Sequence, residues 1–392
     1  MSKVYDSIVI GLGAMGSAAL YQLSSTSKKV LGLDQLQPPH SLGSTHGGSR
    51  VTRQAIGEGR HYVPIVLRSN EIWRELESKT GEELFNTCGV VMFGENPKAA
   101  AVHGLGDFLE QTIQAAKAFD IQHEILDASA LQKRYPQFHF SGNEVGYFEP
   151  GAGALYPERC VQTQLQLAQQ QGAEVRYHQK VLVIEPKSNN DGVWVRTETE
   201  TFEAETVMIS VGSWIHQLLP SHFRKYFKTY RQTMYWFEHE LSYADFSPDK
   251  LPVYVRFGES LDAFFYGFPA LDGPKGGIKV AAEDFSNTSL PDTVQREILE
   301  EECKSMYRRV SRYLKIKESV LRATVCMYTV TPDFGFVLDS LPEHPQVLLV
   351  SPCSGHGFKH SAAIGQIAKE WLLTGQTQFD IDAFSLKRFG SL

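Results

Sequence analysis

The sequence predicts an α/β protein in which a Rossmann-type nucleotide-binding unit is interleaved with a β-sheet domain. Three observations predict it. An apolar run, Ser7 to Ile10, leads into Gly11-x-Gly13-x-x-Gly16 and then into a segment with Ala18, Ala19 and Leu23 at helical spacing. A second apolar run, Val30 to Leu33, ends in the acid Asp34. Alternating and helical stretches then recur to the far end of the chain, so that sequence-distant pieces complete each unit.

Each part of the first unit has a physical reason. Gly11 permits the tight turn out of the strand, Gly13 lets the backbone approach a pyrophosphate, and Gly16 lets the helix lie close on the strand. The start of the helix then faces the phosphate charge, and Asp34 is placed to take ribose hydroxyls. The unit therefore binds a dinucleotide; the motif alone does not separate FAD from NAD.

Further along, apolar spacing predicts helices over 64–80, 105–119 and 161–172 and a long charged helix over 292–314. Strands are expected near 90–93, across 174–186 and 192–210, at 207–214 running into Gly212, at 320–329 and at 347–351, and the aromatic stretch 231–282 is strand-like. This ordering assigns 1–88, 150–218 and 320–392 to the nucleotide domain and 89–149 and 219–319 to a substrate domain.

Composition sets the class of chemistry. The 392 residues are 42% hydrophobic and 21% charged, enough for two domain cores. The net charge of -7, with Lys and Arg scattered, argues against nucleic acid and against a polybasic membrane surface. Five cysteines without a C-x-x-C pair suggest no disulfide framework and no metal site. With no leader-like N-terminus and no apolar stretch of about 18 residues, a cytoplasmic protein acting on small molecules is expected. The ending "RFGSL" shares only its leucine with a peroxisomal address, so none is assigned.

Three stretches, "GSTHGGSRVTRQAIGEGRHYVP", "CMYTVTPDFGFVLD" and "SGHGFKHSA", closely resemble the monomeric sarcosine oxidase and N-methyltryptophan oxidase family, and the resemblance runs over nearly the whole chain. It implies a glutathione-reductase-like FAD domain joined to a substrate domain whose sheet roofs the flavin. The implied activity is oxidation of secondary N-methyl amino acids at the carbon–nitrogen bond, with oxygen reduced to hydrogen peroxide, by a monomer. A related oxidase or dehydrogenase of a cyclic imino acid or another amine is the alternative; a non-catalytic flavoprotein and an NAD dehydrogenase fit less well.

The same resemblance implies site residues. Cys326 carries FAD through a thioether, a task that needs a thiolate nucleophile. Ser44, His46 and Arg50 border the flavin, where a fixed cation stabilises the negative charge of the reduced ring. Gly355 and Gly357 bring a helix start toward the flavin, joined by Lys359 in the first turn. Arg53 and Lys359 hold the substrate carboxylate, Tyr266 stands in the active site, and Lys279, between Ile278 and Val280, serves oxygen activation. Cys353 is expected to be structural and Lys275 a solvated turn residue. Two positions depart from the family: Glu283 stands where a histidine is expected, and Ile56 where a tyrosine is. Glu283 is therefore a candidate for recognising a cationic or polar group on a different substrate.

Overall fold

The computed structural model describes residues 3–26, 28–95, 106–187, 192–258 and 263–390. Leu105, where a helix was expected to begin, and the last two residues, which bear on the C-terminal address, lie outside the described residues.

The first sheet grows from β1 (Lys3–Ile10), which is followed by α1 (Ala14–Ser24) and β2 (Val30–Leu33). β1 pairs in parallel with β2 on one side and with the Thr201–Ile209 strand on the other. Beyond these the sheet continues in parallel to Glu174–Arg176 and His344–Ser351, and an antiparallel hairpin, Val181–Pro186 with Val193–Thr197, extends it. Both faces are covered: Ile8 and Ile10 point into one core and Val9 into the other, which is why β1 reads as a continuous apolar run rather than an alternating one. On the Val9 side, α1 lies against the Ser361–Thr374 helix, and Gly365 permits that approach: a Cβ there would stand 2.6 Å from the Ala18 Cβ.

The second sheet has eight strands drawn from 90–149 and 228–330. Its longest pairing joins Lys228–His239 to Ile316–Val330 in antiparallel fashion, with Ile278–Ala281 on the other side of the former. Alternation divides these strands. Tyr235, Phe237, Ile278 and Val280 face a core closed by Met306 and Val310 of the Glu300–Val310 helix, while Met234, Trp236, Ala281 and Cys326 form a cluster on the opposite face.

Several expectations need adjusting. The Ile316–Val330 strand lies wholly in the second sheet, so residues 320–330 do not join the first sheet with the rest of 320–392. The strand expected over 207–214 ends at Ile209, and Gly212–Trp214 is a 3-10 turn. The long charged helix is confined to Glu300–Val310. Residues before it are satisfied from outside: Arg231 donates to the carbonyls of Gln295 at 2.6 Å and Glu297 at 3.0 Å, and Asp292 accepts from the Trp214 and Gln217 side chains. The helix starts where the Glu302 carboxylate can accept the Leu299 N–H at 2.9 Å, with three acids in its first turn and Arg308 and Arg309 in its last, as its dipole favours. No helix among the described residues is long and apolar enough to cross a membrane.

Candidate active site

Two adjoining cavities lie between the sheets. The larger, about 1390 Å³, is lined by the glycine turn, Asp34, the 43–45 loop, Gly212, Cys353, Gly355 and Gly357. The smaller, about 740 Å³, is lined by Arg53, Glu58, Tyr266, Lys279, Glu283, Lys359 and a largely aromatic wall. Arg50, Tyr328, Gly355 and Phe358 line both, so the cavities meet there.

The larger cavity is built for a dinucleotide. Gly11 adopts φ +84°, and a Cβ on it would stand 2.6 Å from the Ser210 carbonyl oxygen; a Cβ on Gly16 would stand 1.8 Å from the Gly11 oxygen, so the turn closes only with glycine at both places. Gly16 accordingly serves packing and does not line the cavity, while Gly11 and Gly13 do. The Asp34 carboxylate accepts the N–H groups of Leu12 at 2.7 Å and Leu36 at 2.8 Å, which fixes it on the cavity wall at the end of β2. Burial pushes its carboxyl above the usual range, and those backbone donors oppose the shift. Backbone close approach at the glycine turn and a carboxylate at the end of the second strand fit a dinucleotide such as FAD.

The 44–50 loop forms the junction. Glu158 accepts the N–H groups of Gly47 at 2.7 Å and Gly48 at 3.1 Å, which pins the loop to the Pro157–Gln170 helix. Arg50 in turn donates to the Ser44 carbonyl at 2.8 Å and the Ser49 carbonyl at 2.8 Å, with one nitrogen 3.6 Å from the Cys326 sulfur. The Cys326 thiol donates to the Ser44 carbonyl at 3.5 Å. Cys326 is buried behind Ser44 and Arg50 and is not itself a lining residue, whereas Cys353, expected to be structural, stands on the wall of the larger cavity, where its sulfur accepts the Thr329 N–H at 3.3 Å. His46 lines neither cavity; burial, reinforced by Arg50, pushes its imidazole down to about 4.

Lys279 bridges the second sheet to this loop. Its Nζ donates to the carbonyls of Gly47 and Ser49, both at 2.8 Å, and to Ser49 Oγ at 3.1 Å, and it lies 4.6 Å from the centre of the Phe268 ring. Burial and Arg50 push its pKa well down, whereas three oxygen acceptors need all three hydrogens of an ammonium. The cage therefore opposes the loss of charge that burial favours.

At the far side of the smaller cavity stand Arg53 and Lys359. Arg53 is already engaged: one nitrogen meets Glu58 at 2.6 Å, another the Ala55 carbonyl at 2.6 Å, and both Arg53 and Glu58 are buried. His356 Nδ1 lies 3.9 Å from the other Glu58 oxygen. The turn carrying Arg53 is held by buried Glu149, which accepts the N–H groups of Gln54 at 2.6 Å and Ala55 at 3.1 Å. Lys359 donates to the His356 carbonyl at 2.7 Å and lines the smaller cavity but not the larger. Tyr266 and Tyr328 meet hydroxyl to hydroxyl at 3.1 Å, and burial pushes the Tyr266 phenol up to about 12. Ile56 is in the core and lines neither cavity. Lys275 is exposed.

Glu58, Tyr328 and His356 were missed from the sequence. Tyr328 had a signal, since it lies two residues after Cys326 on the same strand face. Glu58 lay within a quoted stretch, five residues from Arg53, but nothing in a loop sequence says which acid folds back on which base.

Comparison with known proteins agrees with this geometry. Residues 6–371 match the family model DAO, FAD dependent oxidoreductase. The chain is 39% identical to a monomeric sarcosine oxidase of Streptomyces avermitilis, covering 100% of this chain and 99% of the relative. It is 33% identical to an N-methyl-L-tryptophan oxidase of Yersinia pestis, covering 98% and 99%. Among solved structures, NikD, an unusual amino acid oxidase essential for nikkomycin biosynthesis, superposes with a TM-score of 0.83 at 19% identity over 98% of each chain. Glycine oxidase from Geobacillus kaustophilus does so with 0.76 at 17% over 100% of each. These last two show the fold, and the sequence matches show the kinship: the chain is a member of the FAD-dependent oxidoreductase family.

Proposed function

We propose that the protein oxidises secondary amines of the N-methyl amino acid kind to imines, reducing oxygen to hydrogen peroxide. The observation that carries this reading is the pair of buried cations, Arg53 and Lys359, in a cavity that meets the dinucleotide cavity at Arg50, Tyr328, Gly355 and Phe358. In this reading the first sheet carries a glutathione-reductase-like FAD domain and the second forms the substrate domain. FAD, when bound, would supply the acceptor for the hydride equivalent from the carbon next to nitrogen and the two electrons that oxygen takes up.

The chain's own residues do the rest. Gly11, Gly13, Asp34, Ser44, Gly212, Gly355 and Gly357 hold the cofactor; Cys326 attaches it. Arg50, fixed by two carbonyls, supplies lasting positive charge at the junction. Lys359 gives one hydrogen to His356, and as an ammonium it has two more for a substrate carboxylate. Arg53 adds its guanidinium with Glu58 as resident counter-ion. Lys279, with its hydrogens directed at the loop carbonyls, acts on oxygen as a fixed charge and gives up no proton. Tyr266 and the aromatic wall shape the space and exclude water.

A peroxide-release screen over N-methyl amino acids, cyclic imino acids and larger N-alkyl amines tests the activity; silence across the panel, with flavin bound, overturns it. The same preparation tests attachment. After acid denaturation the yellow colour should stay with the polypeptide, and Cys326→Ser should release it to the supernatant. Colour lost from the unaltered protein would refute the thioether.

A further inference from the structure

The peptide between Gly47 and Gly48 stands between an acid and a base. A trans peptide turns its N–H and its carbonyl to opposite sides. Here the Gly48 N–H donates to Glu158 at 3.1 Å, while the Gly47 carbonyl of the same peptide accepts from Lys279 Nζ at 2.8 Å. The Gly47 N–H meets the same Glu158 oxygen at 2.7 Å. Carboxylate, peptide and ammonium thus form one hydrogen-bonded chain from the Pro157–Gln170 helix to the second sheet, with each end of the peptide dipole facing the charge that suits it.

Packing holds that peptide on one side only. Gly47 and Gly48 take φ +95° and +76°, and a Cβ on Gly47 would stand 2.6 Å from Met234 Cε, whereas one on Gly48 would meet nothing nearer than Arg322 Nη2 at 4.0 Å. Both glycines border a further cavity of about 220 Å³, lined also by Trp236, Phe268 and Leu271, which leaves the peptide room to turn once the carboxylate releases it. Lys279 depends on this loop, since the three acceptors of its Nζ all belong to Gly47 and Ser49. Arg50 depends on it less: it begins the Arg50–Thr52 strand, paired with Gly153–Leu155, and its side chain also meets the Ser44 carbonyl outside the glycines. Glu158 favours the charge of Lys279 as well, pulling its pKa up against the burial and the Arg50 guanidinium that push it down.

We propose that Glu158 is a positioning residue for the oxygen half-reaction: by fixing the Gly47–Gly48 peptide it holds the Lys279 ammonium where oxygen takes up its electrons. This rests on the assignment of Lys279 to oxygen made above. Glu158 lines neither the dinucleotide cavity nor the substrate cavity, so its effect on the chemistry passes through the loop.

The test uses the holoenzyme, titrated to full reduction with dithionite in the absence of air and then mixed with oxygenated buffer, with reoxidation followed by flavin absorbance. Lys279→Met should slow reoxidation about a hundredfold and Glu158→Ala about tenfold. Glu158→Gln should fall between Glu158→Ala and the unaltered protein, because an amide oxygen still accepts both N–H groups. The double variant, Glu158→Ala with Lys279→Met, should be no slower than Lys279→Met alone, since residues that act as one unit do not add. Hydrogen exchange over residues 44–50 should quicken in Glu158→Ala and less in Glu158→Gln. Binding of (methylthio)acetate, a carboxylate with sulfur in place of the amine, should be little changed in either. Effects that multiply in the double variant overturn the proposal, because Glu158 then acts apart from Lys279. It is also overturned if Glu158→Gln is as slow as Glu158→Ala, which would trace the effect to charge without position, or if (methylthio)acetate binding weakens as far as reoxidation slows, which would mean a general loss of the site. If Lys279→Met reoxidises as fast as the unaltered protein, the oxygen assignment of Lys279 fails and takes this proposal with it. A fast Glu158→Ala beside a slow Lys279→Met overturns the role of Glu158 alone.

Discussion

Lys359 shows how a single buried cation ties binding to pH. Burial above all holds its ammonium down to about 7, with Glu58 pulling the other way. Below that value it carries the charge a carboxylate needs, and above it the amine is neutral. Affinity for a non-oxidisable carboxylate should therefore fall, by about tenfold or more, as pH rises through neutrality, read by flavin absorbance. Lys359→Met should bind weakly at low pH and show no such slope. Stability runs in the opposite sense. The unfolded lysine keeps its proton up to its ordinary value of 10.5 while the folded one releases it near about 7, so the unfolded state binds more protons in that window and folding gains as pH rises through it. Denaturant unfolding of Lys359→Met should lack that gain. The positions of Arg53 and Lys359 were legible because each sits in a short characteristic stretch. Their partners were not: the Glu58 contact depends on how a loop closes, and the His356 carbonyl contact on a 3-10 turn at Phe358–His360 that precedes the expected helix.

Among the elements, the contact of α1 with the Ser361–Thr374 helix is the most demanding. It joins the helix that follows the glycine turn to the one that follows Gly355 and Gly357, and it is built on small residues, with Ala18 meeting Gly365. Gly365→Leu has no space to enter and should destabilise the fold by about 1–3 kcal/mol, measured by denaturant unfolding, with looser retention of flavin in a Cys326→Ser background. Local patterns made these elements readable. The glycine turn, β2 and the helix at Val63–Thr80 follow from spacing within a few residues. The charged helix was read too long because Arg231, some sixty residues away, takes the carbonyls that a longer helix would have used. The strand carrying Cys326 was placed with the wrong sheet for the same reason: its own sequence says that it is extended, and only its partner, Lys228–His239, says where.

For the whole molecule, the two larger sheets are joined by side chains that cross between them as well as by their cores. Lys279 of the second sheet is bound to the loop that follows β2, and the cofactor cavity draws on both. FAD should thus act as a stabilising ligand. In Cys326→Ser stripped of flavin, free FAD at a hundred times its dissociation constant should add about 2.7 kcal/mol, seen as a rise of several degrees in Tm; no shift would mean that the cavity does not bind it. The path of the chain adds a matter of timing. The chain leaves the first sheet after β2, builds part of the second, returns at 174–209, leaves again for 228–330 and comes back at 337–351. β1 is made before the Thr201–Ile209 strand that it pairs with, and the cavity wall at 350–358 emerges later still. On the ribosome, then, the nucleotide turn is present long before there is an enclosed place to put a nucleotide, and cofactor capture has to follow the emergence of the 350–358 wall.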